Sequence, residues 1–173
     1  MAWALRLTEL APLQEAISTF ASTAAAKLRA QQAMARQLQV FAHNSPFSQD
    51  PRFSRSAMVH LPCATADTGT IVSYAIAAIK RIYEPGYKLA KAGVILLELS
   101  DSKHQQFELP IGSRPPRSPA LSAAVDQLNQ RFGQGAVVIG ATAQHRPQAW
   151  TMRQERKTPS YTTRLEDILL VRS

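Results

Sequence analysis

The stretch that most constrains the fold is residues 86–100, GYKLAKAGVILLELS, which contains the longest β-compatible apolar run of the chain, Val-Ile-Leu-Leu at 94–97. Four apolar residues in a row fall far short of the roughly 20 that a membrane-spanning helix needs. The run therefore predicts a buried strand, which we expect to be central in a sheet. Two cations, Lys88 and Lys91, stand at the beginning of this strand.

A helix is predicted directly before this strand, over residues 70–83. Its apolar residues recur at the spacing of one helix face: Val72, Ala75, Ile76, Ile79, Ile82 and Tyr83. Thr65, Asp67 or Thr68 can cap its beginning, and Pro85-Gly86 ends it. A capped helix thus leads into the strand.

The preceding segments predict the rest of one folding unit. Residues 12–29 carry a helical apolar stripe, and residues 34–43 and 53–61 alternate as half-buried strands around a polar loop at 44–52. The order helix, strand, strand, helix, strand predicts an α+β fold with both helices on one face of the sheet.

The other face of this sheet is predicted to be polar and almost uncharged, because the alternation places Gln37, Gln39, Ser54 and Ser56 on it. Arg55, Lys88 and Lys91 add cations at or near the strands. Spaced cations with hydroxyl and amide donors suit a phosphate backbone, which such groups contact without reading sequence. The alternative is a solvated polar surface with no ligand.

Beyond residue 101 the chain changes character. Residues 102–119 are polar and proline-rich, as in a linker, and residues 120–132 have the apolar spacing of a short helix. The remainder is basic, with Trp150 and Tyr161 among arginines. We therefore expect three parts: a domain at 1–101, a linker at 102–119, and a small basic C-terminal domain at 120–173.

Charge and cysteine content narrow the class of protein. A net charge of +8 and a pI near 10.2 favour a polyanionic partner. The single cysteine, Cys63, excludes an intrachain disulfide and favours a reducing compartment. The first residues lack the pattern of a signal peptide, and no apolar stretch is long enough for a membrane span. These features predict a cytoplasmic protein.

No pattern of an enzyme site is found in the sequence. The acidic residues are scattered, and His60 and Cys63 are only two of the four ligands that structural zinc needs. Gly133 and Gly135 precede a short strand predicted over residues 136–139, and Gly140 follows it, whereas a dinucleotide-binding loop connects a strand to a helix. We expect no catalytic residue, no metal and no cofactor.

Several short motifs occur in an order typical of one family. In the first part they are AAAKLR at 24–29, SPF at 45–47, SAMV at 56–59, TADT at 65–68 and GYKLAKAGVIL at 86–96. In the tail they are WTMR at 150–153, PSYTTR at 159–164 and DILLV at 167–171. With these motifs the chain resembles the little finger domain and C-terminal tail of Y-family DNA polymerases of the UmuC branch.

The resemblance implies a C-terminal portion of a translesion polymerase of SOS mutagenesis, without the palm, fingers and thumb that carry catalysis. Its expected function is sequence-tolerant binding of damaged or primer–template duplex DNA in the major groove, together with a UmuD-type partner. The expected contacts are Gln37, Gln39, Ser54, Arg55, Ser56, Lys88 and Lys91. In the family a strand precedes residues 6–9, but MAWA stands there in this chain, so we expect that strand to be missing or replaced.

A second set of expectations concerns protein partners. UmuC-like proteins place a clamp-binding peptide, Gln-Leu-x-Leu-Phe, after the little finger, where this chain has Gln106, Phe107 and Leu109 followed by Pro110. The terminal aromatic anchor is absent, which predicts weak clamp binding. The rival interpretation is a module that binds sliding clamp, recombinase or a UmuD-type subunit without significant DNA binding. The tail residues Arg153, Arg156 and Lys157 are an alternative DNA-contacting set, and a decayed gene product is a third alternative.

Overall fold

The computed structural model describes residues 7–47, 49–102, 119–133 and 135–138, with the single positions 140, 158, 159 and 166. The elements follow in the order α1 (Leu10–Ala30), β1 (Ala33–His43), β2 (Ser54–Thr65), α2 (Thr68–Ile82), β3 (Lys91–Asp101) and α3 (Pro119–Phe132). This arrangement confirms the predicted α+β class. The predicted boundaries between the three parts of the chain stay a prediction.

The sheet is antiparallel, and its strand order differs from the expectation. The three strands lie in the order β2-β1-β3, so β1 is central and the strand with the apolar run, β3, is at an edge. The prediction of a central β3 was therefore wrong. The loop after β1 leads directly into β2, which pairs antiparallel with β1. After α2, strand β3 pairs antiparallel with the other edge of β1.

Strand β3 is also less buried than its apolar run suggested. Within this run, Ile95 is 43% exposed. The reason is that β3 presents alternate residues to two faces, and helices α1 and α2 supply a core on one face only. The expectation of a buried strand is corrected accordingly.

The core lies between the sheet and the two long helices. The helices contribute small and branched side chains that are nearly inaccessible, including Ala21 and Ala25 of α1 and Ala75 and Ala78 of α2. The most buried large side chains of this core are Leu13, Ile17, Leu38, Val40, Ile71 and Ile79. Small alanines let the helices approach each other and the sheet closely, so the apolar area of each element is removed from water.

The predicted helix cap is Asp67. Its carboxylate accepts hydrogen bonds from the Thr70 backbone N–H at 2.7 Å and from the Thr70 hydroxyl at 2.8 Å. Asp67 thereby satisfies one of the N–H groups that the first turn of α2 leaves unpaired. After α2 the chain turns at Gly86, whose φ of +95° is the left-handed conformation that glycine adopts without strain.

The N-terminal segment is joined to the sheet domain at Leu7. Leu7 and Leu89 exchange both backbone hydrogen bonds, at 3.0 and 2.9 Å, and the Tyr83 hydroxyl donates to the Thr8 carbonyl at 2.8 Å. These contacts lie beside the beginning of β3, where a further strand would extend the sheet. Residues 1–6 lie outside the described residues, so a replaced first strand stays a prediction.

Arg29 joins three helices in one cluster of hydrogen bonds. Its Nε and Nη2 donate to the two carboxylate oxygens of Asp126 in α3, at 2.6 and 2.8 Å. Its Nη1 donates to the Ala66 carbonyl and to the Thr68 hydroxyl, both at 2.7 Å, at the beginning of α2. The planar guanidinium matches a carboxylate in this two-bond arrangement, which a lysine cannot reproduce.

Helix α3 contacts Arg29 with its polar side. At 100° per residue, Asp126 lies on the side of α3 opposite to Leu121, Leu128 and Phe132. All three of these apolar residues are exposed among the described residues. The contact that the structure shows between α3 and the sheet domain is therefore ionic. The predicted apolar stripe lies on the side of α3 opposite to this contact.

The Arg29 cluster predicts a measurable coupling between the two helices. Replacing Arg29 by Lys should lower the free energy of unfolding by about 1–3 kcal/mol, since hydrogen bonds to a charged group are lost in a partly buried site. Asp126→Asn should have a smaller effect, and the double variant should be less destabilised than the sum of the two. Urea unfolding of the four proteins measures this coupling.

The matched control is Arg131→Lys, an exposed position in α3 whose guanidinium lies 5.4 Å from the centroid of the exposed Phe132 ring. Lysine keeps the positive charge there, so a change within about 0.5 kcal/mol is expected. Additive effects of the Arg29 and Asp126 substitutions would contradict the contact.

The Leu7–Leu89 pair makes a second prediction. Because each amide N–H of this pair donates to a carbonyl, both should exchange with solvent deuterium more slowly than amides of an unstructured peptide. Alternating protection extending from Leu7 back toward residue 2 would show that the N-terminal segment supplies a substitute strand. Exchange of Leu7 at the rate of an unstructured peptide would contradict the pairing.

Candidate nucleic-acid interface

One face of the sheet faces away from the α1–α2 core, and we call it the outer face. The strand register assigns to it the residues Gln37, Gln39, Phe41 and His43 of β1, Ser54, Ser56, Met58 and His60 of β2, and Lys91, Gly93, Ile95 and Leu97 of β3. All four of its β2 residues are exposed. None of these twelve residues is acidic.

The four polar residues predicted for this face do share it. Gln39 lies between Met58 and Ile95, and Ser56 lies opposite Phe41. Gln37 donates a hydrogen bond from Nε2 to the Glu98 carboxylate. The alternation in the sequence therefore assigned the faces of β1 and β2 correctly, while the role of these residues as DNA contacts stays a prediction.

At one end of the outer face, a row of three residues runs across all three strands. Ser54, His43 and Lys91 lie side by side in the register, so a hydroxyl, an imidazole and an ammonium group occupy neighbouring strands. His43 Nδ1 lies 2.9 Å from the Asn44 carbonyl oxygen, to which it donates. We call these three residues the end row.

Beside the end row lies an aromatic contact. The rings of Phe41 and His43 are stacked, with centroids 6.2 Å apart and planes inclined by 17°. Phe41 pairs with Gly93 of the neighbouring strand β3, so β3 has no side chain directly opposite the Phe41 ring. The outer face therefore presents a flat aromatic and apolar strip, continued by Met58 and Ile95, bordered by polar groups.

Arg55 does not share this face. In the register it lies opposite Ala42, which is buried on the helix side of the sheet. Its guanidinium forms an ion pair with Glu84, which follows α2, and lies 5.3 Å from the centroid of the Phe53 ring. The structure thus separates Arg55 from Ser54 and Ser56, with which the sequence had grouped it.

The two lysines differ in their surroundings. Lys91 begins β3 and belongs to the end row, whereas Lys88 precedes β3 and its Nζ lies 3.6 Å from Asp50 Oδ1. Both partners of the Lys88 pair are partly exposed. Such pairs contribute little to stability, because water competes for both charges, so Lys88 can exchange Asp50 for another anion at small cost.

Sequence reasoning passed over several residues of the outer face. His43, His60, Phe41, Met58 and Ile95 lie on it with the predicted polar set. The same alternation over residues 34–43 and 53–61 places the first four outward, but the choice of contacts followed charge and donor groups. For Ile95 no local signal was available, because a run of four apolar residues hides the alternation of β3.

Two predicted sets of residues lie outside the part of the chain that the structure describes. The clamp-binding candidates Gln106, Phe107 and Leu109, and the tail cations Arg153, Arg156 and Lys157, lie outside the described residues. Among the residues that the structure describes, no three His, Cys, Asp or Glu side chains form a group that would hold a metal. No helix in the described ranges is long and apolar enough to cross a membrane.

Two protein families match the chain. The impB/mucB/samB family C-terminal domain matches residues 1–109, and a family described as Domain of unknown function (DUF4113) matches residues 119–171. The Arg29–Asp126 contact therefore connects the two matched regions.

Curated relatives match over almost the whole chain. Protein UmuC of Salmonella typhimurium strain LT2 is 32% identical over 170 residues, covering 96% of this chain and 40% of the relative. Protein MucB of Salmonella typhimurium is 35% identical over 160 residues, covering 91% of the chain and 37% of the relative. Protein ImpB of the same organism is 33% identical, covering 96% and 39%. The chain spans about two fifths of the length of these relatives.

Arg55 and Lys91 lie on opposite faces of the sheet, so replacing each of them should have a different effect on stability. Arg55→Ala should lower the free energy of unfolding by about 1 kcal/mol, since a half-exposed ion pair and a cation–π contact are both lost. Lys91→Ala should change it by less than about 0.5 kcal/mol. Urea unfolding of both variants tests the assignment, and a larger loss for Lys91→Ala than for Arg55→Ala would contradict it.

Proposed function

Because the chain belongs to the impB/mucB/samB C-terminal domain family, we propose that it binds duplex DNA through the outer face, without sequence preference, as the C-terminal portion of a translesion polymerase. The observation that carries this proposal is the composition of the outer face. It combines exposed hydroxyl and imidazole groups and half-buried amides with Lys91, and it lies opposite the packed core. None of its twelve register residues is acidic, and the carboxylate that meets it, that of Glu98, accepts a hydrogen bond from Gln37.

The chemistry of the outer face suits a phosphate backbone. Lys91 supplies a charge at one strand, and Ser54 and Ser56 supply hydroxyl donors two strands away. Lys88 contributes when a phosphate takes the place of Asp50. Such groups position a duplex but carry little information about bases, so binding should tolerate any sequence.

The net charge of +8 supports the same partner, since a polyanion gains from every cation near its path. Release of counterions from DNA should supply much of the affinity, and that affinity should fall as salt rises.

The proposal assigns nucleotide addition to a separate part of the parent protein. The relatives are about two and a half times longer than this chain, and the described residues contain no cluster of carboxylates for two metal ions. In this account the chain holds damaged or primer–template DNA, and a UmuD-type subunit acts with the parent polymerase in SOS mutagenesis. A cytoplasmic location fits that role.

A second candidate function is protein binding through α3. Its exposed residues Leu121, Leu128 and Phe132 form an apolar stripe on the side away from Arg29. A sliding clamp, recombinase or UmuD-type subunit would be the partner class, and this function does not require DNA. Salt-dependent binding of DNA by the isolated protein separates the two candidates.

The test is a salt series with labelled duplex and the full chain. If three to five phosphates are contacted, log K should fall against log salt with a slope of about −3 to −4.5. Lys91→Ala and Lys88→Ala should each flatten the slope by about 1 and weaken all sequences equally. Arg55→Ala is the matched control, because the same charge is removed from the inner side of the sheet, and it should leave the slope nearly unchanged.

Binding that is absent at low salt would overturn the proposal. A slope that flattens with Arg55→Ala but not with Lys91→Ala would show that DNA does not lie on the outer face.

A further inference from the structure

The most exposed large apolar side chain among the described residues is Phe47, at 95%. It stands in the loop between β1 and β2, in the motif SPF, and makes no contribution to the core. A phenylalanine in open water gains nothing from burial on folding, so the fold itself gives no reason for an aromatic ring at this position.

The base of this loop is firmly built around Asn44. Asn44 is 5% exposed, its Nδ2 donates to the Pro51 carbonyl at 2.7 Å, and its Oδ1 accepts from the Phe53 N–H at 3.0 Å. The Asn44 N–H also donates to the Phe53 carbonyl at 3.0 Å. The buried Asn44 side chain thus connects the two ends of the loop and satisfies the Pro51 carbonyl and the Phe53 N–H.

Two further contacts attach the loop to the segment that precedes β3. The Phe53 ring is buried and packs against Tyr87, with centroids 4.8 Å apart, and Asp50 pairs with Lys88. At the tip, the Ser45 hydroxyl oxygen accepts from the Phe47 N–H at 3.3 Å. The loop therefore presents Phe47 from a base that is held at both ends.

The loop leaves the sheet at the end row. His43, the last residue of β1, lies between Ser54 and Lys91, and the loop begins with the next residue. Three residues span at most about 10 Å, so the Phe47 backbone lies within about three base steps of Asn44. The loop that carries Phe47 therefore begins at the end of the outer face that holds the end row.

We propose that Phe47 stacks on an unpaired nucleobase beyond the end of the duplex held on the outer face. The inference rests on the proposed function, which already includes primer–template DNA, and adds the residue that would contact the single-stranded part of that substrate. Stacking on an aromatic ring needs one exposed π-face and tolerates any base. The end row supplies phosphate contacts on the duplex side of the junction.

The surroundings of Phe47 favour a base over a protein pocket. Anchor residues of protein interfaces stand in packed patches of neighbouring contacts that exclude water. Around Phe47 the described loop residues are Ser45, Pro46, Gln49, Asp50, Pro51 and Arg52, which are polar or proline. A single ring among hydroxyl, amide and guanidinium groups, with the one carboxylate, that of Asp50, paired to Lys88, matches single-strand contacts, in which bases stack and polar side chains meet the backbone.

The experiment compares the full chain and three variants on matched DNA. The probes are a blunt labelled duplex and the same duplex with a short single-stranded overhang at one end or at the other. Wild type should bind an overhang duplex more tightly than the blunt one. Phe47→Ala should remove this preference, a loss of about fivefold or more, and leave blunt affinity unchanged. Phe47→Trp should keep the preference.

Phe47→Leu separates stacking from simple apolar contact. Leucine keeps an apolar side chain but has no π-face, so it should lose the preference as alanine does. Since Phe47 is exposed, all variants should have the same melting temperature as wild type, which circular dichroism measures. A 2-aminopurine in the overhang should be quenched by wild type and not by Phe47→Ala.

Equal affinity of wild type for blunt and overhang duplexes would overturn the inference while leaving duplex binding intact. Full retention of the preference by Phe47→Leu would overturn stacking in favour of an apolar contact, such as a protein pocket would use. Loss of binding to every probe by wild type would instead overturn the proposed function, so the two failures are distinct.

Discussion

The fold depends on a sheet that is buried on one face only. Helices α1 and α2 cover the inner face, and their buried residues close the core against Leu38 and Val40 of the central strand. Over most of β1 and β2, successive strand residues therefore alternate between a dry and a wet environment, up to the irregularity between Ala35 and Gln37. A slip of one position in β1 would bring Gln39 and His43 into the core, so the same constraint fixes both the register and the composition of the outer face.

The charges of the protein divide between the fold and the surface. Arg29 is used to hold α2 and α3 at the end of α1, and Arg55 is used to join β2 to Glu84. Lys91 stands on the outer face, and Lys88 is held only by a partly exposed ion pair. Net charge thus favoured a polyanionic partner from the sequence, but only the structure separates the cations that the fold uses from those at the candidate interface.

Features that depend on residues close together in the sequence, such as strand faces and a helix cap, were predicted correctly. The alternation gave the faces of β1 and β2, and Asp67 was among the three caps expected for α2. Long-range pairing was not predictable: β3 lies at the edge because it pairs along β1, and Asp126 meets Arg29 from 97 residues away. The apolar run at 94–97 indicated burial but concealed which residues face outward. Phe47 was visible only as part of a motif, since exposure depends on how the loop closes on Asn44.

The central claim is that DNA lies on the outer face, and methyl NMR tests it most directly. Met58 and Ile95 carry methyl groups on that face, whereas Ile71 and Ile79 carry them in the core behind it. On titration with duplex, we predict saturating shifts for Met58 and Ile95 and nearly constant positions for Ile71 and Ile79. Binding that leaves Met58 and Ile95 unchanged while other surface signals move would contradict the account.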